Sequence, residues 1–437
     1  MFLTLEDPRA RVKGSRDPLG VQPIWTAFGR RVIANLVTVT DSLRGFTVLM
    51  LGRYFGERLL TAGKVREADV IDVFLRVEQV CGYARCLALE EDVVRKSGRI
   101  LGIERIRRRI AKRPEPARIG VTPDAMILSD QKTYGLWGLF SASARVSKLI
   151  PDGPVGLCAD AERLVRETYL PNLQPVLNRL EDLFARGGTL RLEARPNALL
   201  ALLGQVLGAP ASRSERRFYR RHLCDGDHCT QLPSGRQATF RQLLESHSDL
   251  TRQVNRDELA SIRRAAQRED AGLATRIGRI LALEALLAPS EALFRFVQTR
   301  HGQSPSDVEA TLVERWGRSV PHLVPREFRE ISDEIAQVAG GDVRAHMAGV
   351  HEALTKGQYS AAVKHLLEWN RLVMLRRSAS PWVQLDHRNA IDVRYRGIER
   401  QLPTHEALPS LWDNGYFINT LKALVAQSAE TPTERAA

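Results

Sequence analysis

The chain has 437 residues, room for two or three domains, and its 43% hydrophobic and 26% charged content can bury a large core, which excludes wholesale disorder. Its net charge of +13 rests on 55 Arg and only nine Lys; GC-rich coding accounts for much of the Arg bias, but an excess of bases over acids is the footprint of a nucleic-acid or acidic partner. No apolar run reaches the roughly 18 residues of a membrane span, and Glu6 and Asp7 stand where a signal peptide is apolar, so a cytoplasmic protein without membrane attachment is expected.

The opening segment contains a turn at Asp17-Pro18-Leu19-Gly20, and helical spacing of apolar residues then runs over 25–62, interrupted by Gly45, Gly52 and Gly56. Thr40 or Ser42 is placed to cap the apolar run from Leu43 to Leu51. Arg30 and Arg44 are expected to pair with Asp17 or Asp41. Residues 67–96 form the clearest helical pattern, with Val70, Val73, Phe74, Val77 and Cys81 on one stripe. A short basic helix follows at 103–112. Its Ile103, Ile106 and Ile110 share one stripe, while Arg105, Arg107, Arg108, Arg109, Lys112 and Arg113 crowd the rest. Cations packed this closely repel one another unless an anion lies opposite, so the set is a candidate phosphate-binding face; a solvated basic surface is the alternative.

Residues 134–169 read as a helix, a tight turn at Pro151-Asp152-Gly153-Pro154, the apolar run Val155-Gly156-Leu157-Cys158, and a second helix from Ala159. Helix, tight apolar hairpin, helix is the outline of a winged-helix module; a helical hairpin with an irregular connection is the alternative. A second basic helix at 213–222 carries Arg213, Arg216, Arg217, Arg220 and Arg221, the other candidate nucleic-acid face. The stretch that follows offers His222, Cys224, Asp225, Asp227, His228 and Cys229 within eight residues, residue types that bind metal. The two Cys are not matched by a second pair, so the loop is read as a polar connection and no metal site is expected. Arg221 and His228 have the spacing of helical ribonucleases of the HEPN kind. Several other His have Arg at similar distance, and Gly226 interrupts the helix between them, so the motif carries little weight. Phosphate-loop, dinucleotide, zinc-protease and nucleophile-elbow motifs are missing; no catalytic residue and no cofactor is assigned.

Residues 236–375 are helix after helix without a fixed repeat. Two alternating segments, 382–386 and 390–395, flank His387-Arg388-Asn389 as a β-hairpin. A last helix is expected over 411–427, with Trp412, Tyr416, Phe417, Leu421 and Leu424 spaced as one apolar face that could hold another protein or close the fold.

Trp25, Gly29-Arg30, Thr38-Val39-Thr40 and Arg44-Gly45-Phe46 extend the opening turn into a pattern that resembles a loose group of helical proteins encoded in bacterial antiphage defence islands. The helix pair at 134–169, the Arg-rich stretch before the loop at 213–235 and the Trp382 hairpin are similar to the same group. The resemblance implies a subunit of a multi-protein defence complex, working beside an ATPase or nuclease, and transfers no active-site residue. The expectation is a mainly α, multi-lobed protein with a winged-helix-like insert and a C-terminal β-hairpin, divided at 1–116, 117–205, 206–378 and 379–437. Its expected role is a non-enzymatic nucleic-acid-binding or adaptor subunit that senses phage material and positions or restrains an effector. A nuclease with an unrecognised helical site is the alternative.

Overall fold

A computed structural model describes residues 17–88, 100–113, 115–192, 197–208, 210–320, 322–396 and 401–429. The protein is mainly α-helical, with two small antiparallel strand pairs. It sorts into two compact units, each assembled from separate stretches of chain.

Unit 1 comprises residues 17–32 and Val254–Gly415. Its axis is the Ala271–Val297 helix, apolar on most sides and therefore buried by neighbours all round. Asp270 caps it, accepting from the Leu273 amide. The Val21–Gly29, Arg256–Glu269, Pro325–Ala339 and Tyr359–Arg376 helices pack on it. Gly341–Lys356 and Tyr359–Arg376 form an antiparallel helix pair. The C-terminal hairpin forms as the alternation implied: Val383–Leu385 pairs with Ile391–Val393. Asp386 ties the turn by accepting from the Arg388 and Ala390 amides, and Asn389 takes the left-handed conformation.

Unit 2 comprises Ile33–Gln253 and residues 416–429. Ser42 is the N-cap of the Leu43–Thr61 helix, accepting from the Gly45 amide at 3.1 Å. The continuous helical spacing read over 25–62 resolves into two helices, Val21–Gly29 and Leu43–Thr61. Gly45 and Gly52 do not break the second one. They let Phe140 and Phe74 approach so closely that a Cβ on either glycine would lie 2.6 Å from the ring. The Val70–Ala88 helix buries Val70, Val73, Phe74, Val77 and Cys81 as its stripe required; the expected continuation over 89–96 lies outside the described residues.

The winged-helix outline is not formed at 134–169. The Leu136–Val146 and Ala159–Leu164 helices are present, but the described residues between them contain no strand. The buried Arg53 guanidinium explains this: it donates to the Gly153 carbonyl at 2.6 Å and reaches those of Pro151 and Val155. These carbonyls face a cation instead of a paired strand. The strand pair of this unit lies elsewhere, Ala117–Ile119 against Gly188–Leu190.

The expected C-terminal face is also revised. The final helix is Tyr416–Gln427, preceded by a 3-10 segment at His405–Ser410. Trp412 precedes this helix, so the five residues do not make one helical face, and Trp412 and Tyr416 are only half-buried. Phe417, Leu421 and Leu424 are buried against the Arg220–Cys224 and Arg236–His247 segments of their own unit. Gln427 fastens the end of the helix by accepting from the Leu43 amide and donating to the Asp41 carbonyl. Those three apolar side chains are thus taken up inside their own unit, the fold-closing alternative.

Candidate functional site

The two basic helices expected to hold phosphates have different fates. In Ile103–Ala111, Ile106 is fully buried against the Val70–Ala88 helix. That docking turns part of the cationic face towards a neighbouring loop. Arg109 donates to the Tyr83 hydroxyl at 2.9 Å and to the carbonyls of Ala125, Asp124 and Met126. Arg105 donates to the Met126 carbonyl at 3.0 Å. Arg107 faces Glu104 at 3.8 Å. Arg108, Lys112 and Arg113 are exposed. The cationic set of Arg105, Arg107, Arg108, Arg109, Lys112 and Arg113 is therefore split, because a guanidinium fork satisfies clustered carbonyls well. Arg105 and Arg109 act as fasteners of the 124–126 loop.

The second helix is tied at its start by a capping box: the Ser212 hydroxyl accepts from the Glu215 amide and Glu215 accepts from the Ser212 amide. Glu215 also carries the partner role that Arg44 required. Arg44 meets Glu215 at 2.6 Å, not Asp17 or Asp41. Tyr169 donates to the same carboxylate at 2.8 Å and lies 3.3 Å from Tyr219, which bonds Thr47 at 2.6 Å. All five side chains are buried. This network fixes which way the helix faces. Arg216 is consequently buried, donating to the Ala211 carbonyl, and Arg220 pairs with Glu245. Arg216 is thereby turned from solvent, while Arg220 is about one third exposed and engaged by Glu245. Arg213, Arg217 and Arg221 stand on the exposed side.

There they line an open cleft of about 760 Å³ with Asp160, Arg163 and Glu167 from the facing segment, and with Phe218 and His222. Four Arg against two carboxylates leave the cleft cationic. Asp160 takes Arg163 at 3.0 Å and Arg221 at 2.7 Å. Among the described residues, Arg213 and Arg217 have no ion-pair partner. Both helices lining the cleft widen into a π-type turn, at Val165–Tyr169 and at Arg220–Cys224. Such turns recur at functional sites because they re-aim side chains.

His222 lies in the second π turn and is 2% exposed. Its Nδ1 contacts the Ser147 carbonyl at 2.9 Å. A carbonyl only accepts, so Nδ1 carries the proton and Nε2 of the neutral ring is an acceptor. Nε2 lies 3.7 Å from Asp160 Oδ2 and has no hydrogen-bond partner. Burial is the main reason that the His222 pKa is lowered, with His228 and Arg221 adding to it and the Ser147 contact opposing. The ring is packed between Phe218 at 4.4 Å and His228 at 4.6 Å.

Arg221 and His228 are not the two ends of one helix turn. The helix ends at Cys224, Gly226 turns the chain with φ 66, and Arg221 pairs with Asp160 while His228 stacks on His222. In the same loop, Cys224 is fully buried, and burial pushes its thiol up to about 12, which opposes the thiolate that metal binding needs. Arg163 and Phe218 carry no signal in the sequence, Asp160 reads there only as an acidic start to its helix, and His222 only as a metal-type side chain beside the loop. Asp160 stands 61 positions before its partner Arg221, and no local pattern announces that pairing.

Comparison with known proteins finds no matching family model, no similar curated protein and no similar solved structure.

Proposed function

We propose that this chain is a non-enzymatic, cytoplasmic nucleic-acid-binding subunit, and that the Arg163–Arg213–Arg217–Arg221 cleft holds the phosphates. The single observation that carries the reading is the pair Arg213 and Arg217, exposed in a concave cationic cleft without an ion-pair partner among the described residues. Planar guanidinium forks of this kind match phosphate oxygens. The resemblance of the opening segment to defence-island proteins supports a place in an antiphage complex, and co-purification with the products of neighbouring genes tests that part.

The binding reading is tested by filter-binding titrations with labelled tRNA, single-stranded DNA and double-stranded DNA. In an Arg213→Ala, Arg217→Ala variant, affinity should fall on all sequences alike, and the salt slope should drop by about one per lost contact. Unchanged affinity and slope would remove the cleft from consideration. A second reading, cleavage of the bound strand, draws on His222, whose neutral ring lines the cleft with an acceptor Nε2 that is buried and would have to open to the bound strand to act as a general base. Incubation with and without Mg²⁺ separates the two, since binding without product supports the first reading.

A further inference from the structure

His346 and His365 face each other across the helix pair Gly341–Lys356 and Tyr359–Arg376, in unit 1. Their Nδ1 atoms are 3.2 Å apart and their ring centroids 5.5 Å. Two nitrogens bound to one tetrahedral zinc, each at about 2.0–2.1 Å, stand about 3.3 Å from one another. The observed separation already matches that spacing.

The arrangement has a built cradle. Gly349 sits mid-helix one turn after His346, where glycine costs about 1 kcal/mol relative to alanine. A Cβ there would lie 2.6 Å from three atoms of the His365 ring. The missing side chain is what lets that ring lie against the opposite helix and meet His346. Both rings are only half-buried, which leaves solvent access for an ion and its waters. Among the described residues no three His, Cys, Asp or Glu converge on one point, so the two imidazoles are the protein's whole contribution.

We propose that His346 and His365 form a two-imidazole site for a divalent transition cation of the zinc and nickel class, with water completing the coordination. Imidazole pairs select such ions over Mg²⁺ and Ca²⁺, which take oxygen ligands.

The test is calorimetric titration of the full chain, prepared without a metal-binding tag, with ZnCl₂, NiCl₂ and MgCl₂. One saturable zinc or nickel site in the micromolar range is expected, and none for magnesium. His346→Gln and His365→Gln should each weaken it by at least the ~10–100-fold seen on loss of a supporting residue. Gly349→Ala should weaken it too while leaving the melt intact, because the ring, a flexible side chain, moves aside more readily than the helix. Circular dichroism of all three variants checks that they fold. Zinc binding that is equal in the parent and both His variants would overturn the proposal. So would a complete lack of saturable binding up to millimolar zinc, which would leave the pair as an imidazole–imidazole hydrogen bond.

Discussion

Glu284 and Glu291 show how a single side chain sets a pH response. They lie on the long axial helix of unit 1 on either side of Asn414, which donates to both carboxylates, at 2.7 Å for Glu291. Glu284 also accepts the Asp413 and Asn414 amides. Burial first, and the charge of Glu291 second, raise Glu284 to about 8. Burial raises Glu291 to about 7, and in unit 2 it raises Glu78 to about 7 as well. The unfolded chain releases these protons near 4.5, the folded chain only near 7 or 8. Between those values the native state binds more protons, so this contribution to stability falls as pH rises and levels off above the folded pKa. Glu284→Gln keeps an oxygen for both amides but removes the titration. Urea unfolding from about pH 5 to 8 should show a flatter decline in this variant than in the parent, by up to about 1.4 kcal/mol per pH unit. Identical slopes would mean that Glu284 is not the titrating group.

At the scale of elements, the same residue pattern gave two basic helices with opposite fates. The difference lies in what each apolar or acidic anchor finds. Ile106 pulls the first helix down so that Arg109 meets three backbone carbonyls, and Glu215 rolls the second so that Arg213 and Arg217 face water. Arg109→Ala is therefore expected to lower stability by about 1.5–3 kcal/mol, the value of a hydrogen bond to a charged group, with no change in nucleic-acid affinity. Chemical denaturation and filter binding on one preparation read both; lost affinity with unchanged stability would return Arg109 to the binding face. Helical periodicity made most helices legible, and alternation around His387-Arg388-Asn389 made the hairpin legible. Around 151–158 the sequence leaves a hairpin and an irregular connection open, because short apolar runs beside Pro and Gly look alike whether their carbonyls meet a strand or a buried guanidinium such as Arg53. The π turns that shape the cleft leave no periodic trace, since each adds one residue to an otherwise ordinary helix. Of the site, Arg213, Arg217 and Arg221 are legible as charge and His222 as a metal-type side chain; the cleft roles of Asp160 and Arg163 require the fold.

At the scale of the whole chain, the division into units follows contacts and not sequence order. Residues 17–32 belong with Val254–Gly415, and the closing helix belongs with Ile33–Gln253. Reading along the chain in consecutive pieces cannot reveal such returns. Removing residues 416–437 should therefore strike unit 2, by exposing the apolar surface that covers Phe417, Leu421 and Leu424. Each buried leucine is worth about 2–5 kcal/mol, so the truncated protein should be insoluble or melt more than about 10 °C lower. A scanning calorimetry trace indistinguishable from that of the full chain would show the helix to be dispensable.

That late return of the chain bears on biogenesis. A ribosome releases the protein from its N-terminus, and the stretch forming most of unit 2 emerges well before the Tyr416–Gln427 helix that completes it. Through that interval the apolar floor beneath the Arg236–His247 helix stays open to water while some 160 further residues are made, at about 5–20 residues per second. The nascent chain is then a natural client for chaperones that hold exposed apolar surfaces, and expression yield should respond to their supply more than the stability of the finished protein would suggest.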